Sequence, residues 1–149
     1  MRAVLQRVSR ASVTVADRVV GEIGRGLLVL VGVERADGPA DVTYLASKIV
    51  EARVFPDDSG RMNRSVQEIG GSVLVVSQFT VMGDLRKGRR PAFDAAERPD
   101  TARATYESLI NELKKCNLPI EAGVFQADMR VELINEGPVT VLLDSRRLF

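Results

Sequence analysis

The chain has 149 residues, 21 of them basic and 20 acidic, for a formal net charge of +1, and it contains no histidine. That length suits one domain, 1–149, with a core of its own, while near-neutrality gives no global attraction to a polyanion, so such a partner must be met by a local patch. Without an imidazole, a Ser-His-Asp triad, a Cys-His pair and a His-ligated catalytic zinc are all excluded, and a lone cysteine, Cys116, excludes an intrachain disulfide and fits a reduced, cytoplasmic setting.

The opening Met1-Arg2-Ala3-Val4-Leu5-Gln6-Arg7 is too polar too early for a signal peptide. Ala3 to Ser9 and Ser12 to Ala16 read as strands, and Val19 to Ile23, ended by Gly24-Arg25-Gly26, as another. Leu27 to Val33 is a continuous buried strand; the apolar run from Gly26 is far short of the ~20 residues of a membrane helix, so no membrane association is expected. After Asp37-Gly38-Pro39, Val42, Leu45, Ala46, Ile49 and Val50 recur at helical spacing, which predicts a helix over 39–53 with proline in its first turn. Phe55 to Gly71 is loop-rich, and Asp57-Asp58-Ser59-Gly60 within it reads as a plain turn, because it lacks the alternating oxygen ligands and distal glutamate of a calcium loop.

Ser72 to Phe79 is a second strongly apolar strand, and Met82 to Pro99 is a long polar connection of the kind that is functional or mobile. Asp100 is expected to cap a second helix with Ala102, Tyr106, Leu109, Ile110 and Leu113 on its buried face, stopped by Asn117-Leu118-Pro119. Two last strands, 124–134 and 139–144, are expected to form a hairpin whose tip is Asn135-Glu136-Gly137-Pro138. The order predicts an α/β domain with both helices on one face of a mixed sheet.

Two segments concentrate the chemistry. Ser77-Gln78-Phe79-Thr80 follows the apolar run Val73 to Val76, and Asn135 to Thr140 follows Val131 to Ile134, so each lies where a strand ends and its backbone groups come free. Taken alone, Ser77 and Thr80 would satisfy backbone groups at a strand end and Phe79 would belong to the core. Arg86, Lys87, Arg89 and Arg90 put four cations within five positions just after the first segment, suited either to phosphate contact or to a solvated loop.

With these residues the chain resembles the D-aminoacyl-tRNA deacylases. The likeness runs from Gln6-Arg7-Val8 and Ala11-Ser12-Val13 through Gly21 to Gly24, Gly26 to Leu30, Arg61-Met62-Asn63 and Gly70 to Thr80, then Arg90-Pro91, Phe93, Ala127-Asp128-Met129 and Asn135 to Thr140. Val81 stands where the family's SQFTL signature has leucine, and Glu136 fills the variable position of its NxGPxT signature. The resemblance implies a three-layer α/β/β domain with two main helices and a homodimer in which each Gly-Pro tip enters the neighbouring subunit's pocket. It also implies a carboxylic ester hydrolase that frees tRNA from a D-amino acid or from glycine as chiral proofreading in translation quality control; with no histidine and one cysteine to serve as soft ligands, no metal or other cofactor is expected.

An aminoacyl ester is already activated, so orienting water and stabilising an oxyanion matter more than a strong base. Backbone N–H groups near Phe79 and Thr80 are candidate oxyanion donors, and the ribose 2'-hydroxyl can activate water. Thr80 is a candidate for positioning or, less favourably without an adjacent base, for attack. The resemblance places Ser77, Gln78 and Phe79 in substrate binding, with Phe79 stacking on the terminal adenosine. It makes a cis Gly137-Pro138 the wall that rejects L-substrates. For Arg86, Lys87, Arg89 and Arg90, closeness to Thr80 in the sequence favours a grip on tRNA phosphates over a solvated loop. Arg7 either braces the Gly-Pro motif or makes a surface salt bridge. Two other readings fit the same residues: an RNA-binding module without catalysis, and a threonine-dependent hydrolase of another small ester or amide.

Overall fold

In a computed structural model describing residues 1–149, the first two expected strands are one. Strand β1 runs Arg2–Val15, followed by β2 Arg18–Ile23 and β3 Gly26–Gly32. Helix α1 spans Pro39–Glu51; its Pro39 occupies the first turn, where a missing N–H costs nothing, and the Asp41 carboxylate accepts the Gly38 N–H at 2.9 Å. The loop-rich stretch holds a small pair, β4 Phe55–Pro56 and β5 Met62–Arg64. Strand β6, Ser72–Ser77, leads into a short 3₁₀ helix, Phe79–Met82. Helix α2 is Pro99–Lys114 and β7 is Ile120–Ala122.

The structure departs from two expectations. Helix α2 is flanked by Arg98 and starts at Pro99 with no side-chain cap, so Asp100 sits inside the first turn, where its charge complements the helix dipole but caps nothing. The last two strands are not a hairpin. Strand β8 is continuous from Arg130 to Asp144, and both of its halves pair antiparallel with β1, Glu132 opposite Ser12 and Leu142 opposite Val4. A sequence of Asn-Glu-Gly-Pro between two apolar runs serves a reversal or a bulge equally well. The unbroken length of β1, which offers a partner to each half, makes it a bulge.

The sheet order is β2-β1-β3-β6-β7, with β8 on the other side of β1. Strand β3 runs parallel to β6, and β6 parallel to β7. Both β3 and β6 are buried on both faces, which is why they read as continuous apolar runs. Leu27, Val29, Val31, Val73 and Val75 face the helices and join Leu45, Ile49, Tyr106 and Leu109 in one core. Leu28, Leu74 and Val76 face the other way and pack with Val8, Ala11, Val13 and Ile23, with Val131 and Leu133 against them. The first half of β1 therefore belongs to the helix side, through Ala3 and Leu5, and its second half to the opposite side. This fold-over, accompanied by register shifts around Val8, yields three layers, α/β/β, as the resemblance implied. No helix is long and apolar enough to cross a membrane.

Candidate active site

The carboxyl end of β6 opens onto a cavity of about 630 Å³ lined mainly by apolar residues. Ser77, Gln78 and Phe79 form part of its wall, Val31 and Val33 continue from β3, and Ala102 and Tyr106 come from α2. Phe79 is 58% exposed and meets Phe93 edge to face, ring centres 5.0 Å apart. An aromatic face left this open is available for stacking. The connection that brings Phe93 there is tied at its base: Asp84 and Ala92 exchange backbone hydrogen bonds of 2.8 and 2.9 Å, and the Glu97 N–H donates to the Val33 carbonyl at 2.9 Å.

Two titratable side chains line the cavity. Tyr106 is buried, donates to the Val75 carbonyl at 2.9 Å, and has its hydroxyl pushed well above the usual tyrosine range by that burial. Glu97 accepts the Arg98 N–H at 2.7 Å. Thr80 is exposed and lies outside the cavity lining; its hydroxyl accepts from the Gln78 side-chain amide, a donor that cannot take a proton from it. The N–H of Val81 donates to the Gln78 carbonyl at 3.2 Å, whereas those of Phe79 and Thr80 come before this first intrahelical donor and have no acceptor within the 3₁₀ turn. Gly32 lets this turn pack closely on β3: a β-carbon there would stand 2.5 Å from a Val81 methyl.

The second segment is held from several directions. The Gly137-Pro138 peptide is cis. Arg7, on β1 opposite the bulge, donates from Nε to the Glu136 carbonyl at 2.8 Å and from Nη1 to the Val54 carbonyl at 2.6 Å. Asn135 Oδ1 accepts the Val139 N–H at 2.7 Å, and Asn135 Nδ2 donates to Thr140 Oγ1 at 3.0 Å. Arg7 is thus a brace, the first of the two roles open to it in the sequence. Gly137 has φ +136°, and a β-carbon on it would come within 2.8 Å of both Arg7 Nη2 and a Val139 methyl, so glycine is required.

The D-Tyr-tRNA(Tyr) deacylase family matches residues 4–144. The chain belongs to this family. It is 58% identical over 149 residues to a D-aminoacyl-tRNA deacylase of Anaeromyxobacter dehalogenans and 56% identical to one of Syntrophobacter fumaroxidans, in each case over all of both chains. Among solved structures, a c-Myc DNA unwinding element binding protein superposes with a TM-score of 0.91 at 40% identity, covering 97% of this chain and 98% of that one. A probable eukaryotic D-amino acid tRNA deacylase shares the fold, with a TM-score of 0.79 at 19% identity over 95% and 97%. As a member of the deacylase family the chain is an enzyme, a hydrolase.

Within this deacylase, the structure gathers Ser77, Gln78 and Phe79 at the cavity and leaves Gly137 and Pro138 out of that lining, exposed on β8. Arg86, Lys87, Arg89 and Arg90 are all exposed, but they are not equivalent. Arg86 clamps Asp84 through bonds of 2.7 to 3.1 Å, holding that carboxyl far below the usual carboxylate range, while Lys87, Arg89 and Arg90 carry no salt bridge. Asp57 does close a turn: its Oδ1 accepts from the Ser59 hydroxyl and N–H and from the Arg61 N–H, at 2.7 to 3.0 Å, and the Ser59 bond leads in lowering its pKa. The cavity residues Tyr106, Phe125 and Met129 escaped sequence reasoning. Tyr106 reads as core because its ring is buried there, and Phe125 and Met129 fall in a stretch expected to be strand.

Proposed function

We propose that this enzyme hydrolyses the ester joining a D-amino acid, or glycine, to the terminal adenosine of tRNA, and spares L-aminoacyl-tRNA. The observation that carries the reading is the meeting of Ser77, Gln78 and the exposed Phe79 ring at one cavity edge, where β6 passes into a 3₁₀ turn whose first N–H groups have no intrahelical acceptor. The terminal adenosine enters the cavity and stacks on Phe79, worth roughly 1 to 3 kcal/mol. The carbonyl oxygen of the ester turns toward the Phe79 and Thr80 N–H groups, which stabilise the tetrahedral oxyanion. The neighbouring ribose 2'-hydroxyl orients and activates the attacking water, so no imidazole is needed. Thr80, whose hydroxyl is engaged by Gln78 and faces no base, positions substrate.

Chirality is imposed by the bulge of a second copy. Support comes from its exposure and bracing in this chain, and from the outward face of β8, an edge strand of 15 residues on which Ile134 and Leu142 stand 47% and 57% exposed. A long edge with apolar side chains is a surface that proteins cover. In the resulting homodimer the carbonyl oxygens beside Gly137 and Pro138 meet the β-carbon of an L-substrate, whereas a D-substrate directs it away and glycine has none. Lys87, Arg89 and Arg90 hold acceptor-stem phosphates without reading bases. Acting on tRNA, the enzyme works in the cytoplasm.

The test is to incubate the protein with D-aminoacyl-, glycyl- and L-aminoacyl-tRNA and follow loss of the ester. Cleavage of the first two alone is expected. Retention of every ester would indicate an RNA-binding module, and cleavage confined to small esters a different hydrolase.

A further inference from the structure

Arg103 lies in the second turn of α2, exposed, beside the cavity wall. Two contacts fix its charge in place. Its guanidinium carbon stands 4.8 Å from the centre of the Phe125 ring, and Nη2 donates to Gln126 Oε1 at 3.2 Å. Phe125 packs in turn against Tyr106, ring centres 5.8 Å apart, and Tyr106 is anchored on the Val75 carbonyl of β6. Because Phe125, Gln126 and Tyr106 all line the cavity, the guanidinium is held at its rim. Arg2, Arg64, Arg86, Arg130 and Arg146 each pair with a carboxylate, and Arg103 pairs with none.

A guanidinium that stacks by its face and keeps N–H groups free at its edge is prepared for a bidentate oxyanion such as phosphate. Stacking also removes much of the side-chain entropy that a free arginine would lose on binding. The substrate reading above seats the terminal nucleoside in the cavity, so the group that must cross the rim is the phosphodiester linking that nucleoside to the rest of the RNA. We infer that Arg103 binds this phosphodiester and thereby fixes the depth at which the terminal nucleoside sits. The inference rests on the deacylase reading and adds to it a positioning residue separate from the cations at Arg86 to Arg90.

The experiment compares wild type, Arg103→Ala and Arg103→Lys on two substrates with the same ester, D-aminoacyl-tRNA and D-aminoacyl-adenosine, which lacks the phosphate. Arg103→Ala should raise KM for the tRNA about tenfold, the size of one charged hydrogen-bonded contact, and lower kcat as well, because a nucleoside seated at the wrong depth misaligns its ester. It should flatten the salt dependence of tRNA binding by about 0.7, one single-strand phosphate contact, and leave turnover of the aminoacyl-adenosine as it was. Arg103→Lys should restore the salt dependence but only part of the KM, since lysine carries the charge without the planar fork. Equal losses on both substrates would mean that Arg103 merely holds Phe125 and Gln126, and no loss on either would mean a solvated side chain; each result overturns the inference. Wild-type protein that cleaves neither substrate would bring down the deacylase reading first, so the two failures are distinguishable.

Discussion

At Ser77 to Thr80 the chain leaves a strand and starts a helical turn whose first N–H groups lack an intrahelical acceptor, whereas at Asn135 to Thr140 it stays in its strand and its polar groups are tied down. Arg7 donates to the Glu136 carbonyl, the Asn135 side-chain oxygen accepts the Val139 N–H, and the Asn135 amide donates to the Thr140 hydroxyl. The contrast matches two chemical tasks. Stabilising charge that develops during a reaction requires donors that are oriented yet unspent, and rejecting a misplaced methyl group requires a wall that does not yield. An open segment suits the first task and a braced one the second.

The brace is the place to strike hardest. Arg7→Ala leaves the Glu136 and Val54 carbonyls without partners and should cost about 2 to 3 kcal/mol, on the scale of hydrogen bonds to a charged group, read as a fall in denaturant midpoint at unchanged m. Gly137→Ala forces a side chain into positive φ and against Arg7 and Val139, and should cost about 1 to 3 kcal/mol, with activity on D-substrates falling as the bulge is displaced. A stability loss below about 0.5 kcal/mol for either variant would show that the bulge is not held as described.

The loop cations sharpen the comparison from a third side. Neutralising Lys87, Arg89 or Arg90 should each flatten the salt dependence of tRNA binding by a slope of about 1. Arg86→Gln should do less, because Asp84 already engages that charge. Equal slopes for all four would mean that the Asp84 clamp opens on binding. The clamp itself should survive acid titration through the usual carboxylate range, since a depressed pKa keeps its contribution until pH falls through the folded-state value.

The smallest effect belongs to the open segment. Thr80 is exposed and its hydroxyl meets only an amide, so Thr80→Ala should change stability by less than about 0.5 kcal/mol and keep a substantial fraction of the D-substrate rate. A substrate ending in 2'-deoxyadenosine should be hydrolysed poorly by the same protein. Complete loss in the variant, with full turnover of the deoxy substrate by wild type, would make Thr80 the nucleophile.

Much of this was legible in the residues, and the failures have physical causes. The buried strands and the stripe of α1 announce themselves through apolar periodicity, and the two signatures lie beside apolar strand segments as expected. Gly137-Pro138 was expected at the tip of a hairpin and lies instead in a bulge of β8, because local residues do not tell a reversal from a bulge when the deciding fact is the length of β1 at the other end of the sequence. The cavity was largely invisible for a similar reason. Its aromatic walls come from Phe79, Phe93, Tyr106 and Phe125, each on a different segment, and a buried aromatic on an amphipathic helix looks the same whether it faces core or ligand. Arg7 held two equal readings until the bulge opposite it supplied a carbonyl to bind.

The proposed division between an open catalytic edge and a braced selective wall is tested most directly by the ratio of L- to D-aminoacyl-tRNA hydrolysis in folded Arg7→Ala of the same oligomeric state as wild type. The account predicts that this ratio rises well above the wild-type value, while Thr80→Ala leaves it unchanged. Strict D-selectivity in Arg7→Ala at an undiminished rate would contradict it.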